Sequence, residues 1–255
     1  SMRISVDGGA LNQKNDRRFG TAIFSENLVK ALQIYDKENQ YCVYTFNNLQ
    51  PKLFWMKGRV SLEEFKNKKN IFLALNQALP LYASGKIISF CHGLSYHFYP
   101  ELYSNKDVIR LNKQFKEMLK RSDKIIVSSI KVKNELTSMY RYIEGKVIVL
   151  PFGIPFDMLN DSGQARMTSF WGSANRRRLQ NPYFLYVGMN HPIKNIGFIK
   201  KTFNEFKKNK KYSDFKLYIL TKNVSRKKLK KYYQYATALL TASHYESFNF
   251  PVLEA

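Results

Sequence analysis

Short apolar runs rich in β-branched and aromatic residues alternate along this chain with stretches of helical period, and that alternation leaves few folds open. The runs are RISVDGG (3–9), YCVYTF (41–46), KIISFCHG (86–93), KIIVSS (124–129) and KVIVLPFG (146–153). Between them lie amphipathic segments, one with Phe24, Leu28, Ala31, Leu32 and Tyr35 on one face and one with Val108, Leu111, Phe115 and Met118. Apolar runs without polar alternation read as strands covered on both sides, which is the pattern of a parallel sheet flanked by helices. The rhythm breaks over residues 159–182, a polar stretch rich in small residues that reads as a linker. It restarts with YFLYVG (183–188), a helix bearing Ile199, Phe203 and Phe206, FKLYIL (215–220), a helix near 225–236, and ALLTAS (238–243). The expectation is α/β, with two doubly wound parallel-sheet domains over 1–157 and 183–255, joined by 158–182, the second of them thin and incomplete.

Composition removes several classes. With 44% hydrophobic and 15% aromatic residues in 255, the chain has the apolar material for packed cores. Cys42 and Cys91 are too few for a disulfide framework and lack zinc-ligand spacing, so a reducing cytoplasm fits. The stretch IFLALNQALPLYASG (71–85) contains Asn76, Gln77 and Pro80 and falls short of the ~20 apolar residues of a spanning helix. No signal peptide is read at the start. The 42 basic against 19 acidic residues give +23, which favours phosphorylated ligands, anionic lipid or polyanions. The runs KKNKK (207–211) and RKKLKK (226–231) read as solvated helix faces.

The last residues, YESFNFPVLEA (245–255), hold two glutamates with seven residues between them. Pro251 suits the first turn of a helix, so a helix is expected from Phe250 or Pro251, with Glu246 in the loop before it and Glu254 in its first turn. That places both carboxylates beyond a strand's carboxyl end, where open parallel sheets bind ligands and helix N–H groups attract phosphate. Carboxylates beside a phosphate seat make sense as acceptors for sugar hydroxyls on either side of it. The plainer alternative, that they only cap the helix, accounts for Glu254 better than for Glu246.

SHYESFNFPVLEA (243–255), YVGMNHPIKN (186–195), KIIVSSIKVKNEL with KVIVLPFGIPFD, RRFGTAIFSENLVKAL (17–32) and SFCHG (89–93) occur in the order found in the GT-B glycosyltransferases, and the chain resembles their retaining family 4 group across nearly its whole length. The resemblance implies two Rossmann-like domains facing across a cleft, and transfer of a hexose from a UDP- or GDP-sugar to a glycan or lipid-linked acceptor with retained anomeric configuration. It implies Glu246, His92 and Lys194 as catalytic residues. Glu246 would hold the transferred sugar and His92 line its pocket, while Lys194 would neutralise the diphosphate. Donor contacts would come from Gly20 and Arg18, from Gly188, from the turn Ser247, Phe248, Asn249 and Phe250, and from Glu254 on the ribose. No cofactor or metal is implied, and no two aspartates stand one residue apart as in the metal-dependent glycosyltransferases.

The chain departs from the family at Met189, where relatives carry an arginine, and at Ser247 and Asn249, where glycines are common. Residues 221–224 replace a further helix and strand, and more elements are expected after Ala255. These departures keep open a GT-B scaffold with an impaired donor site. A basic nucleic-acid binder is the third reading, disfavoured because no RNP-like, KH-like or zinc-finger pattern is present and the aromatics sit mostly within apolar runs. A membrane role, if any, is peripheral, with lysine-rich helices of the first domain on anionic lipid at the cytoplasmic face.

Overall fold

The computed structural model describes residues 1–11, 20–50, 53–158, 182–222 and 224–255. They form two compact units that divide between Phe152 and Gly153. The expected linker and Arg18 lie outside the described residues, apart from Met158 and Pro182 at the linker's ends.

In the first unit, β1 (Arg3–Asp7), β2 (Gln40–Tyr44), β3 (Ile71–Ala74), β4 (Lys86–Cys91), β5 (Lys124–Val127) and β6 (Val147–Val149) make one sheet in the order β2-β1-β3-β4-β5-β6. Every pairing is parallel. Strand β3 is an addition to the sequence reading, which took 71–85 only as an apolar stretch. Its Phe72 and Ala74 are fully buried and it sits between β1 and β4, at the middle of the sheet.

Helices α1 (Gly20–Tyr35), α2 (Ser61–Lys66), α3 (Ser95–Phe98), α4 (Asn105–Arg121) and α5 (Ile130–Met139) connect the strands, and a π-helical turn over Trp55–Val60 leads into α2. Helix α4 starts where Ser104 Oγ accepts the Asp107 N–H, and it buries Phe115, Met118 and Leu119 against β5 and α5. Helix α1 buries Phe24, but Tyr35, expected on the same face, is 75% exposed because α1 runs past the edge of what it covers. A second cluster joins Trp55 and Val60 to Phe72, Leu79 and Ile87.

In the second unit β7 (Tyr183–Val187), β8 (Lys216–Leu220) and β9 (Ala238–Leu239) form a parallel sheet in the order β8-β7-β9. Helices α6 (Ile196–Lys207), α7 (Arg226–Tyr235) and α8 (Phe250–Glu254) complete it. Tyr186, Ile196 and Ile199 make its core, and Phe184 is ringed by Phe203, Phe206 and Phe215 with centroids 5.2–6.3 Å away. Strand β9 is shorter than the 238–243 run suggested. It pairs with β7 at two positions, and residues 241–243 leave the sheet.

The carboxyl end of β1 turns sharply at Gly8 and Gly9. A Cβ at Gly8 would stand 2.4 Å from the Tyr44 carbonyl oxygen, and one at Gly9 would stand 3.1 Å from Asp7 Oδ1 and 3.2 Å from the Trp55 ring. Asp7 is 2% exposed, and its Oδ1 accepts the Gly9 N–H at 2.9 Å. Burial pushes its carboxyl up to about 6, with the Gly9 bond drawing it partly back. The folded chain therefore holds this proton more tightly than the unfolded chain, whose aspartate titrates near 4. Stability from this group is complete below about pH 4 and is lost as pH rises toward and through about 6. Replacing Asp7→Asn keeps an acceptor for Gly9 and removes the charge. It is expected to raise stability by about 1–3 kcal/mol at pH 7.5 and by almost nothing at pH 4, as read by urea unfolding at the two pH values.

Candidate functional site

The second unit gathers its polar side chains beyond the carboxyl ends of β7 and β9. After β7 the chain passes through Gly188, whose N–H donates to the Leu220 carbonyl at 3.1 Å and whose φ is +157°. A Cβ there would stand 2.7 Å from the Tyr186 hydroxyl, which donates to the Met189 carbonyl. Glycine at this position thus serves a turn conformation and a tight contact together. His191 Nδ1 accepts the Ile193 N–H and starts a single 3-10 turn, Pro192–Lys194, which ends at Asn195 in left-handed conformation, φ 51°. Lys194 is carried out of that turn.

The loop after β9 is fastened to the first by backbone bonds, Leu240 N–H to Leu185 O at 2.7 Å and His244 N–H to Ile193 O at 2.9 Å. Tyr245 anchors it in the core at 7% exposure. Glu246 then meets Lys194. Its Oε1 accepts from Lys194 Nζ at 2.7 Å and from Ser243 Oγ at 2.7 Å. The two charged side chains keep 20% and 27% of their surface in solvent, so the pair is sheltered yet reachable. The Tyr186 hydroxyl beneath them is pushed well above its ordinary value by burial and then by the Glu246 charge, so it remains a donor.

Glu246, Ser247, Phe248, Asn249 and Phe250 form the turn into α8. Asn249 caps it in left-handed conformation, φ 64°, ψ 68°, which asparagine adopts more readily than most residues. Pro251 occupies the first turn, as its missing N–H favours, but α8 has five residues and Glu254 is the last of them, beyond the first turn expected for it.

Glu254 is held more tightly than Glu246. Its side chain is 3% exposed, Oε1 accepts from Arg226 Nη2 at 2.7 Å, and Oε2 accepts from the Tyr233 hydroxyl at 3.0 Å. Arg226 also grips Asp157 through Nε at 2.6 Å and Nη2 at 3.2 Å. Burial and the Glu254 carboxylate together drive the Tyr233 hydroxyl far up. Arg226 is the first residue of the RKKLKK run. The expectation of a solvated face holds for Lys227, Lys228, Lys230 and Lys231 but not for Arg226. Tyr233, Asp157 and Ser243 were not singled out from the sequence either. Their partners stand 21, 69 and 3 residues away. Only the last, a serine three residues before Glu246, left a local signal.

In the first unit His92 follows β4. Its Nε2 donates to the Leu75 carbonyl at 2.7 Å, and its ring lies edge-on to Phe24, centroids 5.1 Å apart, and 5.6 Å from Phe152. Burial lowers its pKa, partly offset by the Leu75 carbonyl, so the ring is neutral at pH 7 with Nδ1 as an acceptor. Gly20 begins α1 with φ +24°, and a Cβ there would meet nothing within 4 Å, so backbone conformation and not space selects glycine. Among the described residues, no three His, Cys, Asp or Glu side chains gather as metal ligands would.

This chain matches no family model, and no curated protein resembles it in sequence. Solved structures do resemble it. WaaG, described as a glycosyltransferase involved in lipopolysaccharide biosynthesis, aligns over 99% of this chain and 78% of its own, with a TM-score of 0.62 and 13% identity. Anabaena HepE in complex with UDP and glucose aligns over 100% and 78%, TM-score 0.57, at 12% identity. S. aureus MnaA with UDP aligns over 91% and 65%, TM-score 0.53, at 15% identity. The fold is of the GT-B type. At such identities the GT-B likeness speaks to architecture, and the chemistry has to be argued from the side chains above.

The Arg226 cluster is expected to carry stability. Arg226→Ala leaves a nearly buried Glu254 without its cation and should cost about 2–4 kcal/mol, whereas Tyr233→Phe, which removes one bond, should cost about 1 kcal/mol. Guanidinium chloride unfolding of the two variants measures both.

Proposed function

We propose that this chain is a glycosyltransferase that uses a nucleotide-diphosphate sugar. The observation that carries the reading is the convergence of Lys194 and Ser243 on Glu246 at the carboxyl ends of β7 and β9, in a fold whose solved neighbours include structures with UDP and glucose bound. Open parallel sheets place their ligands at such strand ends.

In this reading Lys194 faces the diphosphate. An ammonium has three donors, and with one on Glu246 two remain for phosphate oxygens. The Ser247–Phe250 turn and the glycine corner at Gly188 are assigned to the same oxygens. Glu246 accepts hydroxyls of the sugar, and Glu254, oriented by Arg226 and Tyr233, accepts those of the ribose. Gly20 and Arg18 are assigned to phosphate and His92 to the sugar, with its Nδ1 accepting a hydroxyl. The bond from anomeric carbon to diphosphate oxygen breaks, the acceptor oxygen bonds to that carbon on the same face, and the departing diphosphate takes the acceptor proton. Positive charge at Lys194 stabilises the negative charge that grows on the leaving group, which is the service a metal gives elsewhere. The donor is a UDP- or GDP-hexose, and the acceptor is a glycan or a lipid-linked saccharide at the cytoplasmic face.

Met189 favours a second reading, a GT-B scaffold with a weakened donor site. It is 41% exposed just beyond Gly188, where the resemblance calls for a cation. The two readings separate in one experiment. Under the enzyme reading a saturating UDP- or GDP-sugar, at about a hundredfold over Kd, adds about 2.7 kcal/mol and raises the melting temperature by several degrees. Lys194→Ala should abolish that shift and lower kcat/KM by about 10²–10³. A melting curve that no nucleotide sugar moves selects the scaffold.

A further inference from the structure

Lys194 stands on a turn that one side chain begins. Proline disfavours helical backbone at the residue before it, and His191 is accordingly extended ahead of Pro192, φ −134° and ψ 143°. Pro192 has no N–H of its own, so Ile193 is the first residue of the turn whose N–H needs an acceptor. His191 Nδ1 is that acceptor at 3.2 Å, and the Lys194 N–H goes to the His191 carbonyl at 2.9 Å. Because the amide is the donor, Nδ1 carries no proton and the ring is neutral, with its hydrogen on Nε2.

Ile193 carries the effect of this cap to both loops. Its side chain is buried at 4% exposure, its N–H is on His191, and its carbonyl accepts the His244 N–H at 2.9 Å. Two residues after His244 stands Glu246, whose Oε1 takes Lys194 Nζ and Ser243 Oγ, each at 2.7 Å. The backbone of Ile193 therefore locates both ends of the ion pair, and His191 is the side chain that fixes its N–H. Serine does the same service at Ser104 for α4 and at Ser129 for α5, where only a helix depends on it. At His191 a charged group of the site depends on it.

We infer that His191 is a positioning residue for the donor site: its Nδ1 holds the turn on which Lys194 is presented to Glu246 and to the diphosphate. The diphosphate part rests on the donor-site reading, whereas the placing of Lys194 on Glu246 is tested without nucleotide. Asparagine and glutamine separate capping from bulk at this position. Asparagine Oδ1 stands the same number of bonds from the backbone as histidine Nδ1, while glutamine fills more of the imidazole's space and carries its oxygen one bond further out.

The first arm of the test is acylation of the ligand-free chain by acetic anhydride, with Lys194 followed by mass spectrometry against the exposed Lys201 and Lys227. In the wild type Lys194, paired and with 20% of its side chain in solvent, should react several-fold more slowly than those two. His191→Ala and His191→Gln should speed its reaction about fivefold and His191→Asn by less than about twofold, with Lys201 and Lys227 unchanged as the sign of an intact fold. The second arm is the melting shift given by a nucleotide sugar that shifts the wild type. There His191→Ala and His191→Gln should weaken Kd about fivefold, and His191→Asn by less than about twofold. If no nucleotide sugar shifts the wild type, the donor-site reading falls and acylation alone decides the role of His191. Equal Lys194 rates in wild type and His191→Ala, equal affinities of the two, or a rate restored by His191→Gln and not by His191→Asn would each overturn the inference.

Discussion

Parallel pairing of β7 with its neighbour β9 decides where chemistry collects in the second unit. Because the strands run the same way, the loops that follow them leave from one edge of the sheet. The bonds from Leu240 to Leu185 and from His244 to Ile193 then hold the two loops side by side. Lys194 and Glu246, 52 residues apart, meet only because of this. Neither the short 3-10 turn at Lys194 nor the turn at Glu246 would keep its shape alone, since each is a loop with few internal bonds. The sheet positions the backbone, and the backbone delivers the charges.

The chain's excess of cations gives each sheltered carboxylate a choice of partners, and the choice follows geometry. Arg226 can bond Asp157 and Glu254 together because a guanidinium presents its donors as a planar fork. The lysines that follow it cannot, and they stay exposed. Lysine serves at position 194, where a point charge has to face a carboxylate and remain turned to solvent as well. Net charge therefore says little about the site, since most of it lies on exposed side chains.

Much of the architecture was legible from the change of period. Strands β1, β4, β5, β6, β7, β8 and β9 lie within the runs named from the sequence, β2 begins one residue before its run, and α4 buries Phe115 and Met118 of the expected stripe. Strand β3 was not legible, because Ile71–Ala74 runs on through Leu75 into Asn76, Gln77 and Pro80 with no turn residue to mark where the strand ends. Of the site, the meeting of Lys194 with Glu246 was foreshadowed by motif order. The Arg226 cluster was not, because an arginine opening a run of lysines looks the same in sequence whether it faces water or a carboxylate. The buried Asp7 was equally hidden, since its environment is made by Trp55 and by a turn that only the two glycines permit.

The two glutamates of the last segment are held in different ways, which matters for the binding roles proposed for them. Glu246, with 27% of its side chain in solvent, is reachable, and Lys194 and Ser243 both meet its Oε1. Glu254 is 3% exposed and has a partner on each oxygen. A carboxylate offers about four acceptor positions, so Arg226 and Tyr233 leave capacity on Glu254 without leaving it room to turn. A hydroxyl that reaches it must seat directly, with little water between, and such a bond is stronger than the same bond at a wet surface. The orientation is set before any ligand arrives, so little ordering remains for binding to supply. Under the proposed function Glu246 would discriminate by what it can reach and Glu254 by what it will not move to accept.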